Sequence, residues 1–449
     1  MFSRLFGFRS DPSEAMFQAE QMFSSNEDEL PFSSYRMEAA TDFTQTVLSS
    51  STGMIRRENI YYQPTGEVIG HEVLLGNRDD AAPKNAALRS TQDELLLKNI
   101  VCSGEPPSKK LTFIRLEMES LHHPLLSDLN ASKTVLAIQP DPNHADKLMS
   151  RCRELKSAGF RFALDDFTYS PGLYPLLGLA EYVRFNITRK SILDTGPHLL
   201  DMPRLSGKTL IARNIHDEED RKAASRLSFR HFQGSLFEDT ANIQQPTSGL
   251  RLMRIILLMN LVRNRAEFSA IEVALKNEGD IAGRLLKYLY ASASGPEDIV
   301  TCISDALVHI GHDGFHRWLC VILFGSAENQ DTLLENATLR GRLTELFGQR
   351  ILPAEDCSPL FVTGMLSCAD KLFNAPLSTV IGNFSLSPLV EQALLFNGGA
   401  YSKFLKLAIA CTDQNEEQVR LLAKKCEISP ELVNTLYVKA LVWVNQIER

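Results

Sequence analysis

Asp165 and Asp166 are adjacent carboxylates that close the run from Gly159 to Leu164. The apolar residues before them read as a buried strand. A second strand follows after a Ser/Pro/Gly turn and a short apolar helix. Acids at the carboxyl end of a parallel strand lie where barrel and open-sheet enzymes assemble their chemistry. There they can hold hard cations or carry protons. A second constellation runs from His309 to His316 and contains three His and a literal His-Asp pair, His312-Asp313. One turn of helix supplies too few ligands for a metal, so Gly311, Asp313 and Gly314 read as helix stop, N-cap and turn. The eight cysteines show no Cys-x-x-Cys and no zinc spacing, which fits reduced thiols in a cytoplasmic protein.

The elements that would position Asp165 and Asp166 alternate in type. Strands are expected at 67–75, 111–116, 134–139, 160–165, 182–187, 209–213 and 230–236. Helices are expected at 91–101, 143–158, 174–180 and 217–227. Apolar strands separated by amphipathic segments imply right-handed βαβ units and a parallel sheet. Their number and spacing fit a small closed barrel better than an open sheet. Residues 243–249 are polar, contain Pro246 and Gly249, and read as a linker. Beyond them every periodic segment has helical spacing, with Asp280, Asp298 and Ser429 as N-caps. Cys302, Cys320, Cys368, Cys411 and Cys426, with Trp318 and Trp443, fall on apolar helical faces and read as core.

Composition limits the function classes. The chain has 449 residues, 44% hydrophobic and 23% charged, enough for two or three globular domains. No apolar run reaches the length of a membrane span. Net charge is −8 and no polybasic run occurs, so nucleic acid is not an expected partner. The first fifty residues hold eight acids and three Arg and read as an appended, solvated segment.

Against this background the chain resembles an EAL-type cyclic di-GMP phosphodiesterase barrel followed by an HDOD domain. The barrel resemblance rests on Tyr62-Gln63-Pro64, on Gly70-His71-Glu72-Val73-Leu74-Leu75, on the stretch from Gly159 to Phe167, and on Gln233-Gly234. The helical half resembles HDOD around Gly279 to Leu286, Asp305 to Gly311, and Phe361 to Leu366. The resemblance implies an α/β plus all-α protein, a TIM-like barrel joined to an all-helical domain. The expected domains are 1–57, 58–243 and 244–449.

The family's hydrolysis uses divalent cations held by carboxylates and an Asn at strand ends. Carried over by position, the EAL glutamate is Glu72 and the acidic pair is Asp165 and Asp166. The metal-binding Asn falls on Arg115. The two acids of the third strand fall in the stretch from Ala137 to Pro140, where both are missing. The Lys-x-Asp motif falls on Arg184 and Asn186, a further Glu falls on Arg213, and Gln233 is kept. The Arg that follows the EAL motif is replaced by Gly76.

A guanidinium repels a divalent cation and pairs with carboxylates, so the resemblance, with these departures, implies a dismantled site. The acids also have a purely structural alternative, as helix caps or partners of barrel arginines. The expectation is therefore a degenerate EAL–HDOD signalling protein that is not an enzyme, holds no metal or cofactor, and acts by protein contact. Its partners would be signalling or motility components, with homodimerisation a further expectation. Cyclic di-GMP is expected neither to be hydrolysed nor to be bound. In the alternative reading it is bound without hydrolysis, with Arg115, Arg184 and Arg213 as the phosphate holders. An active phosphodiesterase is the weakest alternative.

Overall fold

Side chains of the central strands are buried on both faces, as strands wrapped by helices require. The computed structural model describes residues 53–76, 86–102, 110–140, 145–167, 171–187, 205, 207–227, 229–234, 236, 249–292, 302–326 and 331–447. Most of the acidic N-terminal segment, residues 243–248 of the expected linker, residues 168–170 and the expected cap Asp298 lie outside them.

Eight strands close a barrel in chain order. They are β1 (Ile55–Tyr62), β2 (Glu67–Leu75), β3 (Leu111–Leu116), β4 (Thr134–Ile138), β5 (Arg161–Leu164), β6 (Tyr182–Asn186), β7 (Thr209–Arg213) and β8 (His231–Phe232). β2 to β8 run parallel. β1 corrects the all-parallel expectation of seven strands: it is an eighth, antiparallel to both β2 and β8. Ile60, Phe113, Val135, Ala137, Ala163, Tyr182 and Ile211 form one buried cluster within the barrel. Phe113 and Tyr182 meet edge-on, their ring centroids 5.1 Å apart. Each such large apolar side chain contributes roughly 1.5–3 kcal/mol on burial.

α1 (Ala86–Cys102) links β2 to β3, and α2 (Ala145–Ser157) links β4 to β5. Two 3-10 turns, Glu119–His122 and Pro124–Asp128, lie between β3 and β4. The short α3 (Tyr174–Leu179) precedes β6, and α4 (Glu218–Arg226) precedes β8. Asp217 starts α4 by accepting the Asp220 N–H at 2.8 Å, followed by three acids in the first turn. Both features suit the positive end of the helix dipole.

The remainder is helical: α5 (Gly249–Arg263), α6 (Phe268–Lys276), α7 (Gly279–Ser292), α8 (Ile303–Phe324), α9 (Asp331–Gly348) and α10 (Ala354–Leu366) come first. α11 (Ala369–Phe373), α12 (Leu377–Ile381), α13 (Pro388–Leu395), α14 (Ser402–Thr412), α15 (Glu416–Lys425) and α16 (Pro430–Ile447) complete it. The described residues divide into two compact units: 52–244 with 342–351 and 403–449, and 245–341 with 352–402. Within the first unit, Asn434 on α16 accepts the Ile55 N–H at 2.7 Å and donates to the Gly53 carbonyl at 3.1 Å.

The tempting His309 to His316 stretch lies inside α8. That helix breaks at Gly311 (φ +67°, ψ 171°) and resumes at once, so the expected stop is a kink. His312 Nε2 lies 2.9 Å from the Ala266 carbonyl, and its ring stacks on Phe268. Cys302 departs from the expected core placement. It is exposed and caps α8 by accepting the Asp305 N–H, whereas Cys320, Cys368, Cys411 and Cys426 are buried. Trp318 and Trp443 are buried as expected. Asp280 lies in the first turn of α7 rather than capping it. Among the described residues no helix is long and apolar enough to cross a membrane.

Candidate functional site

The carboxyl ends of the barrel strands gather three carboxylates and three guanidinium groups. Glu72 projects from β2, Arg115 from β3, Arg184 from β6 and Arg213 from β7, while Asp165 and Asp166 follow β5. The sequence-predicted acids and arginines are thus brought together.

Glu72, Asp165, Arg184 and Gln233 form an inner layer closed to solvent. Arg184 grips Glu72 with both prongs: Nη1 donates to Oε1 at 3.0 Å, and Nη2 donates to Oε2. Arg184 Nη2 also donates to Gln233 Oε1 at 3.0 Å. Gln233 in turn donates through Nε2 to Glu72 Oε2 at 2.6 Å and to Glu58 Oε2 at 2.7 Å. Asp165 takes Arg115 Nε at 2.9 Å and Arg213 Nη1 at 3.1 Å, with Arg184 Nε at 3.4 Å. Burial alone would push the Glu72 and Asp165 carboxyls up. Arg184 and Arg213, joined at Asp165 by Arg115, outweigh it and hold both well below the usual carboxylate range.

An outer layer reaches solvent. Asp166, with a backbone φ of +46°, presents one oxygen to Arg115 Nη2 at 3.1 Å and the other to Arg213 Nη1 at 3.3 Å. Its side chain is 23% exposed and that of Arg115 13%. Arg115 Nη2 is also 3.4 Å from Gln139 Oε1.

The remaining predicted positions contribute differently. Ala137 belongs to the barrel core, and neither it nor Pro140 brings a polar side-chain atom. Asn186 accepts from Asn214 Nδ2 at 2.9 Å in a separate amide pair beside the cluster. Glu58 was missed by sequence reasoning. The signal was available only from the β1–β2 register, which sets Glu58 directly opposite Glu72.

As placed, each carboxylate is engaged by guanidinium donors. Among the described residues no group of three or more His, Cys, Asp or Glu could hold a metal ion. This donor set does not fit the pair of divalent cations that the resemblance implies, and no step through them is derived. What the arrangement offers is charge-assisted donors shared among anions, with the outermost anion, Asp166, partly in water.

No family model matches the chain. A Bacillus subtilis protein, "Uncharacterized protein YuxH", is 21% identical over 349 residues, 75% of this chain and 84% of that protein. "Cyclic di-GMP phosphodiesterase CdgJ" of Vibrio cholerae is 21% identical over 389 residues, 85% of this chain and 90% of that protein. Among solved structures, a "PaMucR Phosphodiesterase, c-di-GMP complex" is 17% identical with a TM-score of 0.36, over 46% of this chain and 97% of that one. The FimX EAL domain of Pseudomonas aeruginosa bound to c-di-GMP is 16% identical with a TM-score of 0.34, over 44% and 94%. Scores this low carry no argument about the site. The Vibrio cholerae relative points to cyclic di-GMP signalling, and its name overturns the expectation that this chain is not an enzyme. The same name sets aside the expectation that cyclic di-GMP plays no part.

Proposed function

We propose that this chain is a cyclic di-GMP signalling protein whose barrel mouth takes the dinucleotide's phosphate on Arg115 and Arg213. The carrying observation is the fork these two arginines form around Asp166, an anion held at the edge of solvent. A phosphodiester matches the geometry of such a fork and can take the place of a carboxylate that is partly open to solvent. Arg184 is committed to Glu72 and Gln233 below and supports the fork from inside. Similarity over 85% of this chain to a protein named for cyclic di-GMP supports the choice of ligand.

Calorimetry of the full chain with cyclic di-GMP tests this reading. Saturable heat that falls at least tenfold in affinity in R115A is expected, because a charge-assisted pair contributes roughly 1.5–3 kcal/mol. Linear pGpG appearing in the same samples with Mg²⁺ or Mn²⁺ would extend the reading from binding to hydrolysis. Neither heat nor product at millimolar nucleotide would overturn it.

A second reading concerns the HDOD-like helical region as a protein-contact module in the cytoplasm. Met253, Leu257 and Leu261 recur every fourth residue on α5, and Leu257 is 61% exposed. Such spacing puts the three on one face, an apolar stripe of the kind that contacts a second protein copy. Sedimentation should show a dimer that L257D dissociates. A wild-type monomer at tens of micromolar would remove this reading.

A further inference from the structure

The helical unit holds a cavity of about 140 Å³ between the end of α5, α8, α10 and the start of α13. Its polar groups are unequally committed. Arg265 is paired with Asp313 at 2.9 Å on the rim, where both side chains are more than half exposed. Arg263, the last residue of α5, is half-buried, and no hydrogen bond or ion pair among the described residues engages it. The His316 imidazole, on α8, is likewise unbonded. Ser387 is the N-cap of α13, yet its hydroxyl caps no amide. Pro388 has no N–H and the Val390 and Glu391 amides donate to the Ser387 carbonyl, so the hydroxyl itself is the free donor at the positive end of that helix.

Electrostatics agrees with this geometry. Burial, then the neighbouring Arg263, hold the His316 pKa down to about 4, with Arg265 adding to the effect and Asp313 opposing it. At neutral pH the imidazole is thus uncharged and offers one N–H donor. Among the described residues Asp313 is the one acid lining the cavity, and it is turned to Arg265. Pro359, Val362 and Val390 supply an apolar wall next to these donors.

We propose that this cavity binds the oxyanion head, phosphate monoester or carboxylate, of a small molecule with a short apolar stem. Arg263 acts as the fork, His316 and Ser387 are further donors, and the apolar wall takes the stem. The volume suits such a head with a few carbons and is too small for a dinucleotide. The site is separate from the barrel mouth and does not depend on the reading given to it.

The test uses the full chain and three probes: phenyl phosphate, benzoate and inorganic phosphate. His316 side-chain resonances and the melting temperature are followed during titration. At least one organic anion should shift His316 saturably and raise its pKa, because a nearby anion favours the imidazolium. Inorganic phosphate, without a stem, should bind at least about tenfold more weakly. The tighter of phenyl phosphate and benzoate identifies the head as phosphate or carboxylate. R263A should lower affinity at least about tenfold. Should R263A fail to fold, R263K, which keeps the charge and loses the fork, should weaken binding several-fold, and S387A likewise. Saturable binding unchanged in the folded Arg263 variant, or no His316 shift with any probe at about 10 mM, would overturn the proposal.

Discussion

Arg184 and Glu72 face each other across the barrel as a two-pronged pair from which solvent is excluded. Removing two charges from water costs several kcal/mol each, so the pair is poor evidence of net stabilisation. Breaking it is another matter, because one charge is then left buried and unanswered. R184M should destabilise the chain by roughly 3–5 kcal/mol. Pairing it with E72M should recover most of that loss, since the double change removes both charges of the pair and leaves Asp165 to Arg115 and Arg213. Urea unfolding of the wild type and the three variants measures both. A double variant no more stable than R184M would show that the remaining cluster, rather than this pair, sets the cost.

The same charges predict how stability depends on pH. The folded Glu72 and Asp165 carboxyls lie below their ordinary values of 4.5 and 3.8. Near pH 4 the unfolded chain therefore binds protons at these groups that the folded chain does not. The stability they contribute is complete above those ordinary values and is lost as pH falls through them toward the folded values. Urea midpoints at pH 7, 5, 4 and 3 should decline in that order, most steeply below about pH 5. R213M, which removes a partner of both acids, should flatten the decline. A midpoint that rises between pH 5 and 3 would contradict the assignment.

Gly234 shows how the backbone holds Gln233 in this cluster. Its φ is +152°, and a Cβ there would lie 2.3 Å from the Ile215 carbonyl oxygen. Backbone atoms cannot yield as the tip of a side chain can. G234A should cost roughly 2–3 kcal/mol and pull Gln233 away from Glu72 and Arg184. Chemical denaturation reads the first effect. A flatter decline of stability toward low pH, from a Glu72 carboxyl that has lost the Gln233 bond and moved back toward its ordinary value, reads the second.

These features differ in how far the sequence shows them. β2 to β7 were legible because their buried runs are apolar and bounded by turn residues. β1 was not: Arg57 and Asn59 occupy two of its buried positions, so its hydrophobic alternation is masked. Pairing of Arg115 and Arg213 with the acids followed from their carried-over positions. The grip of Arg184 on Glu72 did not, because it depends on residues 112 apart in sequence meeting across a closed barrel. The Arg263–His316 cavity left no motif, since its lining is scattered from residue 263 to residue 390. The kink in α8 was half visible: Gly311 marked an interruption, but sequence alone does not show that the helix resumes.

Thiol reactivity tests the placement of the helices. Cys102 and Cys302 are exposed, and the other six cysteines are buried. Burial pushes the Cys152 thiol up to about 11, with Arg151 opposing, and also raises Cys320, Cys368, Cys411 and Cys426. The thiolate is the reactive form, so these groups are protected twice, by access and by protonation. With an aromatic disulfide reagent at pH 8, two thiols should react quickly in the native chain and the rest only on unfolding. C302S should remove one fast thiol. Its hydroxyl can still cap α8, so stability should change by no more than about 0.5 kcal/mol. Three or more fast thiols in the native wild type would mean that at least one buried helix face opens readily. In that event the helix carrying the reactive cysteine, identified by mass spectrometry, would be the part of the packing to revise.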